Sequence, residues 1–265
     1  MSKQIIGKHP NGHAYGISLT ACDKATTSGV LHRKLSENGN RDIFMNFTAK
    51  ALKTHHISPS ALERRKEKIN LFRIRGLDIS RLSPYPTNNK TQSGNFAEVV
   101  IAEYLSAATS ASLPVYRLRY NPNVDQSMKG DDVLLFDLDS DPVRIIVSES
   151  KFRGIPSKDA VIEITDGLIR SNKGSLPTSL MFVTDRLYDE GNIEHGEKVS
   201  KCVDLIVDDK LDIDYVGFLL SNHNVAGHVD RNTTTDLHNL LMISLGVNSP
   251  ETMVQDAFRR LGSDL

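Results

Sequence analysis

The chain has 265 residues, of which 39% are hydrophobic and 25% charged, an ordinary balance for a globular protein. Its net charge of −1 at pH 7 excludes the overall basic excess of a protein that grips nucleic acid unaided, so any such surface is local or belongs to a partner. The absence of a long apolar run and of a G-x-x-x-x-G-K-[S/T] loop excludes a membrane span and a P-loop ATPase.

Two features predict a cytoplasmic protein. Cys22 and Cys202 stand far apart with no metal-ligand spacing, which fits a reducing compartment better than a disulfide. The first residues, MSKQIIGKHPNG, lack the apolar core of a signal peptide.

The N-terminal part predicts loops followed by two helices. Residues 1–40 are rich in Gly, His, Ser, Thr and Asn, with one or two short strands expected around Tyr15 to Cys22. Apolar spacing predicts a helix over Asp42 to Lys53. A second helix should begin at Pro59, behind the capping residue Ser58, and run to about Phe72.

This second helix is the most basic stretch of the chain. Its cations are Arg64, Arg65, Lys66, Lys68, Arg73 and Arg75. Two interpretations stand side by side: a solvated helix face, or a surface where Arg64, Arg65 and Lys68 contact a DNA backbone or a partner.

A Pro- and Asn-rich connector, Leu82 to Gln92, predicts the main internal boundary. We expect residues 1–90 to form an N-terminal extension for partner docking or regulation, and residues 91–265 to form the main domain. On that view, deleting residues 1–80 should abolish complex formation and leave the core folded.

A helix is predicted from Gly94 to Leu105, with Glu98 and Glu103 as its acids. The alternating run Leu113 to Tyr120 then predicts a strand. Arg117 and Arg119 would share one face of that strand, facing either a phosphate or solvent.

The stretch Lys129 to Arg153 predicts two strands joined by a turn. Val133 to Phe136 and Arg144 to Val147 are compact apolar runs, and the turn formers LDSDP lie between them. The hairpin would bring Asp131 and Asp132, at its entrance, beside the Glu149-Ser150-Lys151 segment at its exit.

Carboxylates and a lysine gathered in this way suit metal-assisted phosphodiester hydrolysis. Mg²⁺ takes one or two protein carboxylates and keeps several waters, and a neighbouring lysine can orient the attacking water. The plainer interpretation is a turn before a strand and a weak ion pair on an edge strand. The ordered set of Gly130, Asp132, hairpin, Glu149 and Lys151 favours the first interpretation.

The remaining segments complete a mixed α/β (α+β) fold. We expect helices over Ser157 to Ser171, Val199 to Ile206, Leu237 to Leu245 and Glu251 to Leu261, and strands over Leu180 to Thr184 and Asp214 to Leu220. The order predicts a mixed sheet flanked by helices.

The pattern Gly130-x-Asp132 followed by Glu149-x-Lys151 resembles the PD-(D/E)xK nuclease superfamily, with Asp131 in place of the proline. The resemblance implies a restriction-endonuclease-like sheet. It also implies metal binding by Asp132 and Glu149, with Asp131 as the fallback, and a water-orienting role for Lys151. A further metal ligand on the preceding helix would match Glu98, with Glu103 as the alternative, and the Ser150 carbonyl would add one more.

The contexts PNVDQSMKGDDVLLF and SESKFRG resemble the HamA-like nuclease subunits of the Hachiman anti-phage defence system, over roughly Gly94 to His223. This resemblance implies a DNA-degrading effector held by a helicase (HamB-like) partner. Mg²⁺, or Mn²⁺ in its place, is the only cofactor expected.

Three functions are compatible with these sequence features. The leading one is a metal-dependent DNA nuclease with little sequence selectivity, because no base-reading element stands out. A non-catalytic DNA-binding or bridging subunit on a nuclease-like scaffold is the second, and the presence of every motif residue argues against it. The third is a sequence-specific restriction endonuclease, which would cut DNA into discrete fragments.

Overall fold

The structure is a computed structural model that describes residues 5–79, 82–174 and 176–262. The helices of this described part are α1 (Ala14–Ser18), α2 (Arg41–His56), α3 (Pro59–Ile74), α4 (Asn89–Ala108), α5 (Lys158–Lys173), α6 (Leu180–Asp189), α7 (Ile193–Val207), α8 (Val225–Asn232) and α9 (Pro250–Gly262). Its strands are β1 (Leu19–Ala25), β2 (Leu31–Glu37), β3 (Val133–Asp137), β4 (Val143–Phe152), β5 (Leu211–Ser221) and β6 (Leu240–Gly246). Within these residues, no helix is both long and apolar enough to cross a membrane.

The strands form a mixed sheet in the order β1-β2-β6-β5-β4-β3. The four inner strands β2, β6, β5 and β4 run parallel to one another. The two edge strands are antiparallel to their neighbours: β1 pairs with β2, and β3 pairs with β4. The predicted mixed sheet with flanking helices is confirmed.

Each face of the sheet carries its own hydrophobic core. One core lies under α2, α4 and α9 and includes Ile146 of β4. The other lies under α5, α6, α7 and α8 and includes Ile145 and Val147. Because side chains alternate along a strand, β4 contributes to both cores and fixes which of its polar side chains face α4 and which face α5.

The N-terminal strands are built into this sheet. β2 pairs in parallel with β6, from Leu31 opposite Leu241 to Ser36 opposite Gly246. Tyr15, Phe44 and Leu52 share one core with α4. The residues before position 90 therefore share a hydrophobic core with those after it. A separate docking or regulatory role for residues 1–90 stays a prediction.

Two segments form the opposite kind of secondary structure from the one predicted. Leu237 to Leu245 was predicted as a helix, but β6 occupies this region and all seven of its residues are buried. A short apolar run fits a central parallel strand as well as a buried helix. Leu180 to Thr184 was predicted as a strand, but it opens helix α6. The buried positions Leu180, Val183, Thr184 and Leu187 have helical spacing, visible only when the window extends past Thr184.

Two further predictions need correction near the N-terminus of the sheet and before β3. The one or two short strands expected in residues 1–40 are β1 and β2, but the strand expected from Tyr15 begins only at Leu19, because the residues before it form helix α1. The expected strand Leu113 to Tyr120 is a loop ending in a 3-10 turn, Arg117–Tyr120. Here pairing with β3 is confined to an isolated bridge between Ser112 and Phe136. Pro114 follows two residues later and has no N–H to donate to a ladder.

Helix boundaries also differ from those predicted. α4 begins at Asn89, inside the predicted connector, with the Asn88 side chain accepting from the Thr91 amide. α7 begins at Ile193, six positions before the expected Val199. Helices α2, α3, α5 and α9 and strands β3, β4 and β5 confirm the corresponding predictions.

A polar contact is buried between β2, β6 and α8. The imidazole of His32 contacts Asp230 Oδ1 at 2.7 Å through Nδ1 and Ser244 Oγ at 2.8 Å through Nε2. Burial lowers the pKa of His32. Ser244 has no solvent exposure, so this Ser–His–Asp arrangement ties strands together and offers no nucleophile to a substrate.

Candidate functional site

The β3–β4 hairpin places Asp132 at the end of β4. Val133 stands opposite Ser148 in the antiparallel register, so Asp132 reaches the backbone and side chain of Ser150. The Ser150 amide and hydroxyl donate to Asp132 Oδ2 at 2.8 and 2.9 Å. The hairpin itself thus fixes the orientation of this carboxylate.

Helix α4 brings Glu98 to the same place. Its side chain is only 7% exposed and accepts from Arg117, whose Nε and Nη2 lie 2.7 and 2.9 Å from the two carboxylate oxygens. Arg117 Nη2 also donates to Asp132 Oδ1 at 3.1 Å. Arg117 therefore bridges the helix carboxylate and the hairpin carboxylate.

The charges of this bridge are set by burial and by one another. Burial raises the pKa of Glu98, and the neighbouring guanidinium offsets part of that effect. Burial opposes the charge on Arg117, but the carboxylates of Glu98 and Asp132 raise its pKa above the ordinary value. We take the pair as ionised, because both Glu98 oxygens accept from the guanidinium in the forked geometry of such pairs.

Glu149 and Lys151 lie on the α5 side of β4, one residue out of phase with Ser150. Their side chains contact each other through Lys151 Nζ and Glu149 Oε1. The Glu149 carboxyl packs against Gly167 of α5, where an added Cβ would stand 2.9 Å from Glu149 Cδ. Burial, and then the charge of Asp132, raise the pKa of Glu149 to about 7 despite Lys151.

A groove of about 870 Å³ opens at this point. Glu98, Arg117, Asp132, Ser150 and Lys151 line its floor. Its rim carries the cations Lys90 and Arg153, the second paired with Glu163 at 2.6 Å. Polar groups from the start of α4 and from the loop after residue 121, Asp125 among them, complete the rim.

Asp125 fixes that loop to the start of α4. It accepts from the amides of Thr87 and Asn88 at 2.6 and 3.1 Å, and its own carbonyl accepts from Thr91 Oγ1 at 2.9 Å. These contacts, above all the bond from the Thr87 amide, lower the pKa of Asp125. The rim of the groove is therefore tied to α4 at several points.

Two carboxylates that the sequence offered as alternative metal ligands lie outside this site. Asp131, the fallback ligand, is buried beneath α5 and α6 and accepts from the Ser171 hydroxyl and the Ser179 amide, both at 2.8 Å. Glu103, the alternative to Glu98, contacts His55 Nε2 at 2.8 Å. The structure therefore groups Asp132 and Glu98 with Arg117, and it separates them from Asp131 and Glu103.

The other predicted contact residues are divided between the site and the surface. Arg117 is in the site. Arg119 donates to the Thr54 carbonyl at 2.9 Å and lies over the Tyr116 ring, so the two arginines do not share a face. This follows from the 3-10 turn that replaces the predicted strand. Arg64, Arg65 and Lys68 are exposed on α3.

The donor set fits a hard divalent cation in its chemistry. Burial is the larger cause of the raised pKa of Glu149, and the negative charge of neighbouring Asp132 is the second. A cation between the two carboxylates would relieve their repulsion. In residues 5–79, 82–174 and 176–262, however, no three His, Cys, Asp or Glu side chains are grouped as a metal site. Glu98 is directed to Arg117 with both oxygens.

Sequence reasoning did not identify Lys90 and Arg153 as groove residues, nor the bridging place of Arg117. Arg153 stands two residues beyond the E-x-K segment, and this proximity was an available signal. Lys90 lay in the segment taken for a connector. The contact of Arg117 with Glu98 depends on how the loop before β3 folds back over α4, which no local pattern encodes.

The fold and the site define a mixed α/β protein with a groove lined by carboxylates and cations at the mouth of a sheet hairpin. The HamA family profile matches residues 19–261. A Hachiman protein HamA from Bacillus cereus is 34% identical over 264 residues, covering 98% of this chain and 95% of that relative. This chain belongs to the HamA family. The similarity reaches well beyond the span Gly94 to His223 expected from sequence and includes most of the N-terminal part.

Proposed function

We propose that this chain is the nuclease subunit of a Hachiman anti-phage defence system and hydrolyses DNA phosphodiester bonds with little sequence selectivity. The observation that carries the proposal is the convergence of Asp132, Glu149 and Lys151 at the mouth of one hairpin, beside a cation-rimmed groove. Membership of the HamA family supports the assignment to a defence system.

Asp132 and Glu149 would hold Mg²⁺ or Mn²⁺, assisted by Glu98 and the Ser150 carbonyl. When bound, such an ion polarises the scissile phosphate and lowers the pKa of a bound water. Lys151, held against Glu149, orients the attacking water and stabilises negative charge on the phosphoryl oxygens. Ser150 keeps Asp132 in place through two hydrogen bonds.

The groove suits the backbone of a nucleic acid. Lys90 on its rim favours phosphate groups, and Arg153 adds a second cation that donates to Glu163 of the same lining at 2.6 Å. The lining contains Phe152 as its aromatic side chain, so sequence would be read weakly. The rim contacts therefore position the nucleic-acid backbone, while Lys151 on the floor of the groove acts at the scissile phosphate.

A helicase partner would supply the ATP-driven step, because the sequence has no P-loop of its own. It would also restrain the nuclease until DNA is engaged, since an unrestrained nuclease would degrade host DNA. Helix α3, with Arg64, Arg65 and Lys68 exposed, is the surface we assign to contact with the partner or the DNA.

One observation favours a second candidate, a non-catalytic bridging subunit. Arg117 takes both oxygens of Glu98, as a purely structural ion pair would. In that case the groove would bind DNA without cutting it.

The test compares degradation of plasmid and linear DNA by the wild type, Glu149→Ala and Lys151→Ala. Each is assayed with Mg²⁺ or a chelator, and with and without the candidate helicase and ATP. We expect both variants to lose cleavage by at least ~100-fold, since each removes a group acting on the reacting phosphate or water. Glu194→Ala and Lys198→Ala, an exposed Glu–Lys pair on α7, are the matched controls and should cleave normally.

The outcomes separate the candidates. A smear of products lost in both site variants, with unchanged circular dichroism, supports an unselective nuclease. Discrete fragments would indicate a restriction enzyme instead. Wild type that binds DNA and never cleaves it would replace the nuclease with the bridging subunit, and cleavage that persists in both variants would refute this site.

A further inference from the structure

Among the residues that the structure describes, Arg117 is the one guanidinium that contacts both Glu98 and Asp132, which with Glu149 form the carboxylate cluster. It donates to Glu98 and to Asp132, and its side chain is 11% exposed. Its remaining nitrogen, Nη1, is buried with no hydrogen-bond partner in the described part of the chain. A buried N–H group without a partner is costly, so Nη1 would gain from a move that gives it an acceptor.

The oxygens that Arg117 occupies are the oxygens that a divalent cation would need. Both Glu98 oxygens and Asp132 Oδ1 accept from the guanidinium, while Asp132 Oδ2 accepts from Ser150. Glu149 Oε1 faces Lys151. A cation held by these carboxylates would bring a second positive centre within a few ångströms of Arg117, where the two repel each other strongly.

We propose that Arg117 is an internal counter-ion, which holds the place of the divalent cation at Glu98 and Asp132 and must leave at least Asp132 when the cation binds. The inference rests on the metal site of the proposed function. Released from Asp132, the guanidinium remains tethered by the 3-10 turn beside the groove, where Nη1 and Nη2 can reach a phosphate oxygen. Arg117 is thus a positioning residue that exchanges carboxylate for phosphate.

This arrangement makes metal and nucleic acid bind cooperatively. A metal ion alone must displace the guanidinium into a groove whose other carboxylates, Asp125 and Glu163, already have partners. A phosphate in the groove supplies an additional anion, so each ligand lowers the cost of binding the other. The free protein would then bind the cation weakly, and the site would be completed when the nucleic acid arrives.

The experiment measures Mn²⁺ binding by calorimetry in the full-length protein without nucleic acid, for the wild type, Arg117→Gln and Arg119→Gln. Glutamine keeps polar atoms in the site but removes the positive charge. We expect Arg117→Gln to bind Mn²⁺ at least about tenfold more tightly than the wild type. Arg119→Gln is the matched control, because Arg119 contacts Thr54 and Tyr116 outside the cluster, and its Mn²⁺ affinity should equal that of the wild type.

A merely structural role for Arg117 predicts a different result, namely loss of stability with unchanged or weaker Mn²⁺ binding, and that result would overturn the proposal. If Arg117→Gln does not fold, Arg117→Lys replaces the fork that holds both Glu98 oxygens and Asp132 Oδ1 by a single mobile ammonium, which can leave Asp132 with fewer hydrogen bonds broken. It should bind Mn²⁺ more tightly than the wild type, and equal affinity would count against the proposal.

Glu149→Ala distinguishes this inference from the proposed function. If Mn²⁺ binding is lost in Glu149→Ala but is not increased in Arg117→Gln, the result supports the metal site and refutes only the counter-ion role of Arg117. If neither the wild type nor Arg117→Gln binds Mn²⁺, both the proposed metal site and the counter-ion role of Arg117 are refuted.

Discussion

At the scale of single residues, Glu149 is a carboxyl group whose burial costs stability. It is partly buried between β4 and α5, close to Asp132, with Lys151 as its ion-pair partner. Gly167 leaves just enough room for it, since an added Cβ would crowd its carboxyl. A carboxylate in this position opposes folding until a cation joins it.

We therefore expect Glu149→Gln to stabilise the metal-free protein at pH 8. The pKa of Glu149 rises from an ordinary 4.5 to about 7 in the folded state. The folded protein holds this proton more tightly than the unfolded chain, so stability is lost as pH rises from about 4.5 through about 7. The expected gain is about 2 kcal/mol at pH 8, somewhat less than the full shift because Lys151 loses its partner.

Urea unfolding with a chelator present measures this gain at pH 8 and at pH 5. At pH 5 the wild-type carboxyl is mostly protonated, so the two proteins should unfold at nearly the same urea concentration. A variant less stable than the wild type at pH 8 would show that the contact with Lys151 outweighs the cost of burying the charge.

At the scale of elements, helix α3 contributes few residues to the hydrophobic interior. Only Leu62 and Ile69 of this helix are buried, and Ile74 near its end is 81% exposed. With little of α3 in either core, its surface residues can change at small cost in stability. The exposed cations and the apolar end together resemble a contact surface more than a solvated face.

We expect the double reversal Arg64→Glu, Lys68→Glu to weaken binding of the partner helicase or DNA at least ~10-fold at low salt, without changing the melting temperature. Arg65 is left in place because it donates to the Leu82 carbonyl at 3.2 Å. The difference should shrink as salt is raised. The control is Lys198→Glu, Lys201→Glu, which reverses two exposed cations on α7. Equal binding by the two variants and the wild type would leave α3 as a solvated helix.

The elements that the sequence predicted well are those fixed by local chemistry. The hairpin β3–β4 combines two apolar runs with a turn, and α3 has a Ser58 cap followed by Pro59. The predictions for the segments of β6 and α6 were wrong because a short apolar run does not distinguish a buried strand from a buried helix. In the site, Asp132, Glu149 and Lys151 are local to the hairpin. The bridge from Arg117 to Glu98 is a tertiary contact that the sequence pattern did not contain.

At the scale of the whole molecule, the sheet joins the two ends of the chain. β1 and β2 complete it on one side, and their core is shared with α2, α4 and α9. The region expected to be a removable extension thus contributes to the same hydrophobic core as the helix that carries Glu98.

Deletion of residues 1–80 should consequently unfold the protein. It removes Tyr15, Phe44 and Leu52 from the core and exposes the edge of β6. We expect an insoluble product, or one that lacks a cooperative thermal transition in circular dichroism. A soluble truncated chain with a cooperative transition would restore the idea of an independent extension, and its binding to the helicase could then be measured.

The parallel pairing of β2 with β6 also has a consequence for the order of synthesis. The contact between His32 and Ser244 spans 212 positions, so β2 leaves the ribosome long before its partner exists. At ~5–20 residues per second, the wait is on the order of 10–40 s. Throughout that time one edge of β2 has unpaired backbone groups, and Leu35 lacks its core. The nascent N-terminal hairpin therefore exposes an unpaired strand edge during synthesis, and a polypeptide released before residue 240 cannot pair β2 with β6.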